Sequence, residues 1–230
     1  MMIAAALADP GRRPTTFHDL LGEPPPRLLL LTGPRLTLQL GTALAARRLL
    51  REGRVLYVDG ANAFDPYTLV RIARRAGADA RRLLSRLKVT RAFTCHQLET
   101  LLCERLAAAV VAERPALVVV AGWSDLFHDE NVPEREAMRL LERTAAAVRS
   151  LAARAVPVLG THLTEPETGR LPRLTACLTA AAEGVIAVSR EEGEVRLTRV
   201  KPPSPALSPL AVEEGNLLPF FSLRPVWRAD

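Results

Sequence analysis

Residues 27–37 read Arg27-Leu28-Leu29-Leu30-Leu31-Thr32-Gly33-Pro34-Arg35-Leu36-Thr37, an apolar run followed by a glycine-proline turn and the start of a helical pattern. A short apolar run without polar alternation is typical of a strand buried on both faces. We therefore predict a strand from Arg27 to Thr32 and a helix from Leu36 to Arg51 that Gly53 stops. This stretch predicts the first strand-turn-helix unit of an α/β sheet.

The rest of the chain repeats this alternation of short apolar runs and helical patterns. The further predicted strands are Val55 to Asp59, Leu87 to Ala92, Ala116 to Ala121, Val156 to Thr161, Gly184 to Ser189 and Glu194 to Val200. The further predicted helices are Pro66 to Ala76, His96 to Glu113 and Pro133 to Arg154. The alternation indicates an α/β fold, a mostly parallel sheet with helices on both faces. The last two strands, joined by the polar residues 190–193, are predicted to form an antiparallel hairpin at the sheet edge.

The length of 230 residues suits a single domain. Prolines interrupt the pattern after the last predicted strand, at Pro202, Pro203, Pro205 and Pro209. We expect one core domain over residues 1–200 and a proline-rich tail without regular structure over residues 201–230. The apolar residues of this tail would pack on their own domain or dock onto a partner.

The charge is unevenly distributed along the chain. Its 31 basic and 25 acidic residues give a net charge of +6, but residues 71–91 hold eight basic residues and one acid, 8 − 1 = +7. Such a face can bind nucleic acid through its phosphates. Alternatively, arginine is simply the solubilising cation of a chain in which 31 − 2 = 29 of the basic residues are arginine. The candidate DNA-binding residues of this segment are Arg71, Arg74, Arg75, Arg81, Arg82 and Arg86.

Neither a membrane helix nor a metal site is expected. No apolar run approaches the length of about 18 residues that a membrane helix needs. The three cysteines form no C-x-x-C pair and the histidines are scattered, so zinc has no ligand spacing to use. We place the protein in the cytoplasm.

Several blocks, in order, resemble the RecA/RadA recombinase family from about Thr16 to Val200. The most specific is Arg91-Ala92-Phe93-Thr94-Cys95-His96-Gln97-Leu98, which is similar to the family's "ARAF...HQ" run. Supporting blocks are Asp19-Leu20-Leu21-Gly22 and Val55 to Pro66, which looks like "YIDTEGTF.P". The resemblance implies a RecA-like fold. In that family ATP binds at the end of the first strand, where four groups act: a P-loop, a magnesium-binding acid, a water-orienting glutamate and a γ-phosphate-sensing glutamine.

The chain departs from the family at all four groups. Its two lysines, Lys88 and Lys201, lie outside the glycine turn. The candidate Thr37 comes four residues after Gly33, where the family places its Ser or Thr seven residues on, so the loop is short. The degenerate nucleotide site comprises Gly33, Pro34, Arg35, Thr37, Asp59, Ala61, Ala121 and Leu163. Of these, Ala121 replaces the magnesium acid, Ala61 the glutamate and Leu163 the glutamine.

We expect the remaining polar residues of this region to have structural roles. We expect Thr37 to satisfy backbone donors at the start of its helix. Asp59 is expected to accept from the turn donors of residues 60–62. Asp125 is interpreted as a surface or loop residue.

The two segments that carry DNA contacts in the family offer little positive charge here. The first, Phe127 to Glu134, is acidic, and in the second, Leu163 to Arg173, two arginines oppose two glutamates. Arg170 and Arg173 are the candidates there. DNA binding, if it occurs, would be weak and non-specific.

These departures predict a non-catalytic RecA/RadA-like paralog without a cofactor, because no group is in place to position magnesium, phosphate and water together. By analogy with degenerate RecA-like accessory proteins, we expect it to act through a protein partner in DNA recombination, repair or mutagenesis. Two alternatives remain open. One is residual nucleotide turnover that uses Asp59, Asp125 or His162, and the other is an interaction inhibitor like SulA without a DNA role.

Overall fold

The structure is a computed structural model that describes residues 24–165, 169–191, 194–202 and 210–213. The Asp19 to Gly22 block, the hairpin residues 192 and 193, and residues 203–209 and 214–230 of the predicted tail lie outside the described residues. The described strands are β1 Leu28–Gly33, β2 Val55–Asp59, β3 Leu87–Arg91, β4 Leu117–Ala121, β5 Val158–Leu163, β6 Gly184–Glu191, β7 Glu194–Lys201 and β8 Leu210–Glu213. They form one sheet in the order β3-β2-β4-β5-β1-β6-β7-β8.

The mostly parallel α/β sheet is confirmed. Strands β1 to β6 pair with one another in parallel, whereas β6 and β7 form the predicted antiparallel hairpin. The prediction that no regular structure follows residue 200 is wrong for residues 210–213, because β8 pairs antiparallel with β7. The prolines that motivated that prediction all precede this strand, so they do not interrupt its hydrogen bonds.

The helices are α1 Leu36–Leu50, α2 Pro66–Arg75, α3 Ala80–Leu84, α4 Cys95–Thr100, α5 Leu106–Glu113, α6 Glu134–Arg154 and α7 Leu171–Ala181. A π-helical turn, Leu101–Arg105, joins α4 to α5, so the helix predicted from His96 to Glu113 is nearly continuous. The sequence prediction missed α3 and α7. Helix α7 did carry a signal, since Pro172 lies in its first turn and Leu171, Leu174 and Leu178 recur at helical spacing.

Helices cover both faces of the sheet. In β1, Leu29 and Leu31 belong to the core that includes residues of α1, α2 and α3, whereas Leu28 and Leu30 belong to the core that includes residues of α4 to α7 on the other face. This alternation explains the nearly continuous apolar sequence of the strand. Within the described residues, none of the helices is both long enough and apolar enough to cross a membrane.

The chain that leaves β4 is held tightly against β5. The amide of Gly122 donates to Thr161 Oγ1 at 2.9 Å, and the amide of Trp123 donates to the Thr161 carbonyl at 2.9 Å. The Trp123 ring is buried, and its Nε1 donates to Thr144 Oγ1 of α6 at 3.0 Å. These bonds fix the direction in which the chain leaves the sheet at the carboxyl end of β4.

Glycine is required at residue 122 for space as well as for conformation. Gly122 has a φ of 61°, and a Cβ there would lie less than 3.0 Å from the Cβ of Ala61. Gly77 has a similar φ of 66°, but a Cβ there would meet nothing within 4 Å. Both glycines share the backbone strain of a positive φ, but only Gly122 adds a steric contact. Substitutions at the two positions therefore distinguish the two effects.

We expect Gly77→Ala to lower the free energy of unfolding by about 1 kcal/mol through left-handed backbone strain alone. We expect Gly122→Ala to lower it by about 2 kcal/mol more, because the Ala61 segment must also shift. Urea unfolding of both variants measures the difference. An equal loss of unfolding free energy in the two variants would show that residues 61 and 122 do not approach closely.

Candidate functional site

The strand register brings the residues of the degenerate nucleotide site to one edge of the sheet. Gly33 of β1 pairs with Leu163 of β5, and Asp59 of β2 pairs with Ala121 of β4. All four residues end parallel strands, so they lie at the same carboxyl edge. This edge of an open parallel sheet is where ligands commonly bind.

The turn between β1 and α1 forms hydrogen bonds within itself. The amide of Thr37 donates to the Pro34 carbonyl at 2.8 Å, and the amide of Leu38 donates to the Arg35 carbonyl at 3.1 Å. The first amides of a helix are the groups that normally hold a phosphate at its N-terminus. Here two of these amides are used inside the turn, and Pro34 has no N–H to offer.

The same turn is packed between its neighbouring strands. A Cβ at Gly33 would lie less than 3.0 Å from the carbonyl oxygen of Val188 in β6, and the Gly33 carbonyl accepts from the amide of Thr164 at 2.9 Å. Thr37 is fully buried, and its Oγ1 has no hydrogen-bond partner among the described residues. The expectation that this hydroxyl satisfies backbone donors is therefore wrong, since the nearby amides already bond to carbonyls of the turn.

A pocket lies beside this turn, between the N-terminal ends of α1 and α2. Its volume is about 140 Å³. Ligand-binding pockets are usually about 300–1,000 Å³, so this one is small for a nucleotide. The lining residues are Arg35, Leu38, Gln39, Thr42, Ala63, Asp65 and Thr68.

Asp59 is buried and its carboxylate is used to hold the loop after β2. It accepts from the amides of Ala63 at 3.2 Å and Phe64 at 3.1 Å, and from Arg91 Nε at 3.1 Å. Arg91 also donates through Nη2 to the Phe64 carbonyl at 3.0 Å. Asp59 is thus a turn acceptor, but the prediction that its donors lie at residues 60–62 is wrong because the loop extends further before it curls back.

The two alanines that replace family acids are closely packed. Ala121 is 1% exposed and belongs to the core beneath the sheet edge. Ala61 lies directly against Gly122, as the lack of room for a Cβ at that glycine indicates. Neither alanine carries a group that could bind magnesium or orient water.

Asp125 lies in the connection between β4 and α6, as expected of a loop residue, but it is more buried than a surface position would be. It begins a short 3-10 helix, Asp125–His128, and its Oδ1 is buried without a hydrogen-bond partner among the described residues. Burial raises the pKa of this carboxyl to about 6, while the charge of Arg35 lowers it and that of Asp59 raises it. Asp125 is therefore a half-buried carboxyl that interacts with the candidate site, not a surface residue.

His162 at the end of β5 takes part in a buried chain of hydrogen bonds. The Thr175 hydroxyl donates to the Leu171 carbonyl at 2.8 Å, so it accepts from His162 Nε2 at 2.7 Å. Nδ1 then accepts from the Ser124 hydroxyl at 2.6 Å. Burial, with a smaller contribution from His128, lowers the pKa of His162 to about 4. The imidazole is neutral and both of its nitrogens are occupied.

Two of the candidate DNA-binding arginines are paired within the protein. Arg82 Nη2 and Arg86 Nη2 lie 2.8 Å and 2.6 Å from Glu52 Oε2. Glu52 lies far from residues 71–91 in the sequence, so the charge count of that segment alone did not include it. The hydrogen bond from Arg86 is the main cause of the lowered pKa of this glutamate.

The other candidates of the segment are all exposed. Arg71 donates to Thr68 Oγ1 at 2.8 Å. Three further arginines show no ion pair with any carboxylate of the described residues, and they are Arg74, Arg75 and Arg81. These residues lie together on α2 and α3, which pack against each other.

Arg170 and Arg173 hold the acidic segment that precedes α6. Arg170 donates to three backbone carbonyls between Phe127 and Val132, at 2.7–3.2 Å. Arg173 Nη1 lies 2.7 Å from Glu134 Oε1. Both guanidinium groups are engaged inside the protein, which makes them structural residues of this segment and poor candidates for binding phosphate.

In the part of the chain that the structure describes, histidine, cysteine and carboxylate side chains nowhere gather in a group of three that could hold a metal ion.

The sheet order, the β1–α1 turn and the residues gathered at the carboxyl edge define a RecA-like α/β protein. The Rad51 family model matches residues 35–154, from the residue before α1 to the end of α6. This match covers just over half of the 230 residues, and the chain belongs to the Rad51 family of recombination and repair proteins. The resemblance found in the sequence is thereby confirmed. Comparison with curated proteins gives no match.

The raised pKa of Asp125 predicts the sign of a pH-dependent substitution. Because the folded protein holds this proton more tightly than the unfolded chain does, wild-type stability gains from this group as pH falls from about 6 towards the ordinary value near 4. Asp125→Asn, which cannot ionise, should raise the free energy of unfolding by about 2 kcal/mol at pH 8 and by little at pH 4.

Urea unfolding at both pH values measures this effect. The control is Glu130→Gln, because Glu130 is exposed on the same segment and should change stability little at either pH. A loss of stability at pH 8 in Asp125→Asn would instead mean that the carboxylate makes a favourable ion pair with Arg35.

Proposed function

We propose that this member of the Rad51 family does not hydrolyse ATP and acts in recombination or repair as an accessory or scaffold protein that holds a protein partner. The observation that carries the proposal is the closed turn between β1 and α1. The residues at the other three ATPase positions of the family and the edge strand β3 support it further.

A phosphate cradle requires several backbone amides that converge on one anion. In this turn the amides of Thr37 and Leu38 already bond to carbonyls, and Gly33 lies against the Val188 carbonyl. A lysine at the turn is also missing. Because the turn is both short and internally bonded, the missing lysine is only one of several obstacles to triphosphate binding.

The groups that could substitute for the lost catalytic residues are already engaged. Asp59 pairs with Arg91, and both nitrogens of His162 are hydrogen-bonded. Asp125 retains an unbonded oxygen, but Ala61 and Ala121 supply neither a second metal ligand nor a group for water. Phosphoryl transfer depends on positioning magnesium, phosphate and water together, and one isolated carboxyl is insufficient for this.

Calorimetric titration of the protein with ATP and magnesium tests the first part of the proposal. We expect no saturable heat corresponding to a Kd tighter than about 1 mM. Leu36→Lys, which places a lysine in the turn directly before Thr37, should not restore binding, because the amides of the turn remain bonded to carbonyls.

Circular dichroism of the Leu36→Lys variant verifies that it is folded. Micromolar binding by the wild type would exclude the proposal. Micromolar binding gained by Leu36→Lys would show that the turn can open around a phosphate and that only the charge was lacking.

Among the described residues, β3 is an edge strand of the sheet, and it provides a surface for a partner protein. The amide of Val55 donates to the Arg86 carbonyl, and the amide of Ala92 donates to the Asp59 carbonyl, so the even-numbered residues of β3 face β2. The backbone groups of Leu87, Val89 and Arg91 therefore point away from the sheet, because successive residues of a parallel strand alternate in direction. Such an edge can accept an extended peptide as an additional strand.

Two charged residues of this edge are neutralised by acids of the protein. Lys88 pairs with Glu113, and Arg91 pairs with Asp59. Unpaired charges on an edge strand normally discourage strand addition, so their neutralisation favours pairing. The Val89 side chain is 37% exposed and would supply an apolar contact to the added strand.

Val89→Pro tests this surface, because proline removes an outward amide while the hydrogen bonds to β2 remain. Val89→Thr is the matched control, since it keeps the amide and the β-branched shape. We expect the tagged wild type to co-purify from its own cells with a Rad51-family protein that retains all four ATPase groups. Val89→Pro should reduce recovery of that partner at least about tenfold, and Val89→Thr should not.

Equal recovery with Val89→Pro would rule out β3 as the docking edge. Recovery of no protein with intact ATPase groups would contradict the proposed division of labour between a scaffold and an active relative.

A further inference from the structure

The exposed side of α2 carries one aromatic and three arginine side chains in a single stripe. Tyr67, Arg71, Arg74 and Arg75 are spaced i, i+4, i+7 and i+8, which places them within about 100° of the helix circumference. The Tyr67 side chain is 74% exposed. The buried residues of the same helix are Leu69, Ile72 and Ala73.

The positive charge of this stripe is available to a ligand. Arg74 and Arg75 have no carboxylate partner among the described residues, in contrast to Arg82 and Arg86, which share Glu52. Arg71 donates only to a threonine hydroxyl, although the charge of Asp65 at the helix start is close enough to interact with it. Arg81 of α3, which has no carboxylate partner in the described part of the chain either, extends the positive surface beyond the end of α2.

We propose that this stripe binds single-stranded nucleic acid, with phosphates on Arg71, Arg74 and Arg75 and a base stacked on Tyr67. Guanidinium groups hydrogen-bond phosphate oxygens and release counterions when they do so. An exposed aromatic ring beside them supplies a stacking surface that only an unpaired base can use. At about 1.5 Å per residue, Tyr67 and Arg75 are about 12 Å apart along the helix, enough for a short stretch of extended strand.

The composition of the stripe favours nucleic acid over a lipid surface. A helix that lies in a membrane interface exposes a broad apolar face beside its basic residues. The apolar face of α2 is buried in the core that it shares with α1 and α3, and Tyr67 is the large apolar side chain of this helix that faces solvent. One aromatic ring among cations suits a stacked base better than acyl chains.

The first test measures how much the arginines contribute to the affinity for single-stranded nucleic acid. Fluorescence anisotropy with a labelled oligothymidylate should show salt-sensitive binding by the full chain, and Arg74→Glu with Arg75→Glu should weaken it at least about tenfold. The slope of log K against log salt should fall by about 0.7 for each phosphate that the variant no longer neutralises. The matched control is Arg139→Glu with Arg149→Glu, which makes the same charge change at exposed residues of α6 on the opposite face.

The second test measures how much the Tyr67 ring contributes to that affinity. Tyr67→Ala should weaken binding of the oligothymidylate at least about fivefold, whereas Tyr67→Phe should retain it because the phenyl ring still stacks. Neither substitution should alter binding to a duplex with the same number of phosphates, since its bases are stacked internally. Circular dichroism verifies folding, and Arg74→Gln with Arg75→Gln replaces the glutamate pair if that variant is unfolded.

Several outcomes would overturn the proposal. One is no binding of oligothymidylate by the wild type at low salt. Another is a loss of affinity in the α6 control variant that equals the loss in the α2 variant. An unchanged affinity in Tyr67→Ala would remove the single-strand assignment. Binding to anionic lipid vesicles or to an acidic protein, without binding to the oligonucleotide, would assign the stripe to a different class of partner.

Discussion

The contact between the backbone of Gly33 and the carbonyl of Val188 is the constraint on which the candidate site depends. It fixes the turn after the first strand directly against the sixth strand, where a phosphate-binding loop would need open space. The turn is then completed by its own carbonyls, which accept the amides of Thr37 and Leu38. A glycine at this turn thus permits close packing of protein against protein, rather than close approach to an anion.

The segments that follow the neighbouring strands are likewise held by hydrogen bonds and packing within the protein. The chain after β4 is fixed to Thr161 of β5, and the loop after β2 is held by Asp59 and Arg91. Ala61 fills the space beside Gly122. Asp125 is the exception, because its buried Oδ1 has no hydrogen-bond partner among the described residues and burial raises its pKa. Burial of this carboxyl at the carboxyl edge of the sheet costs stability at neutral pH, and perturbed carboxyls of this kind cluster at functional sites.

The surfaces proposed for partners lie away from this closed edge. The strand β3, at the edge of the described sheet, presents outward amides, and α2 presents Tyr67 among arginines. Helix α2 follows β2 in the chain and packs against α3, which leads into β3, so a protein partner and a nucleic-acid strand could be held near one another. This arrangement agrees with an accessory role in which chemistry is left to another member of the family.

Periodicity predicted most strands and the long helices, because a buried strand is apolar throughout and a surface helix is apolar on one stripe. The sequence by itself also determined the absence of a lysine in the turn and of acids at residues 61 and 121, since side-chain identity requires no coordinates. Only the tertiary structure decided that the turn amides bond inward, that Asp125 Oδ1 is buried and that Glu52 neutralises Arg82 and Arg86. Those outcomes depend on which distant segments meet, and hydrogen bonds, burial and ion pairs between such segments have no local signature in the chain.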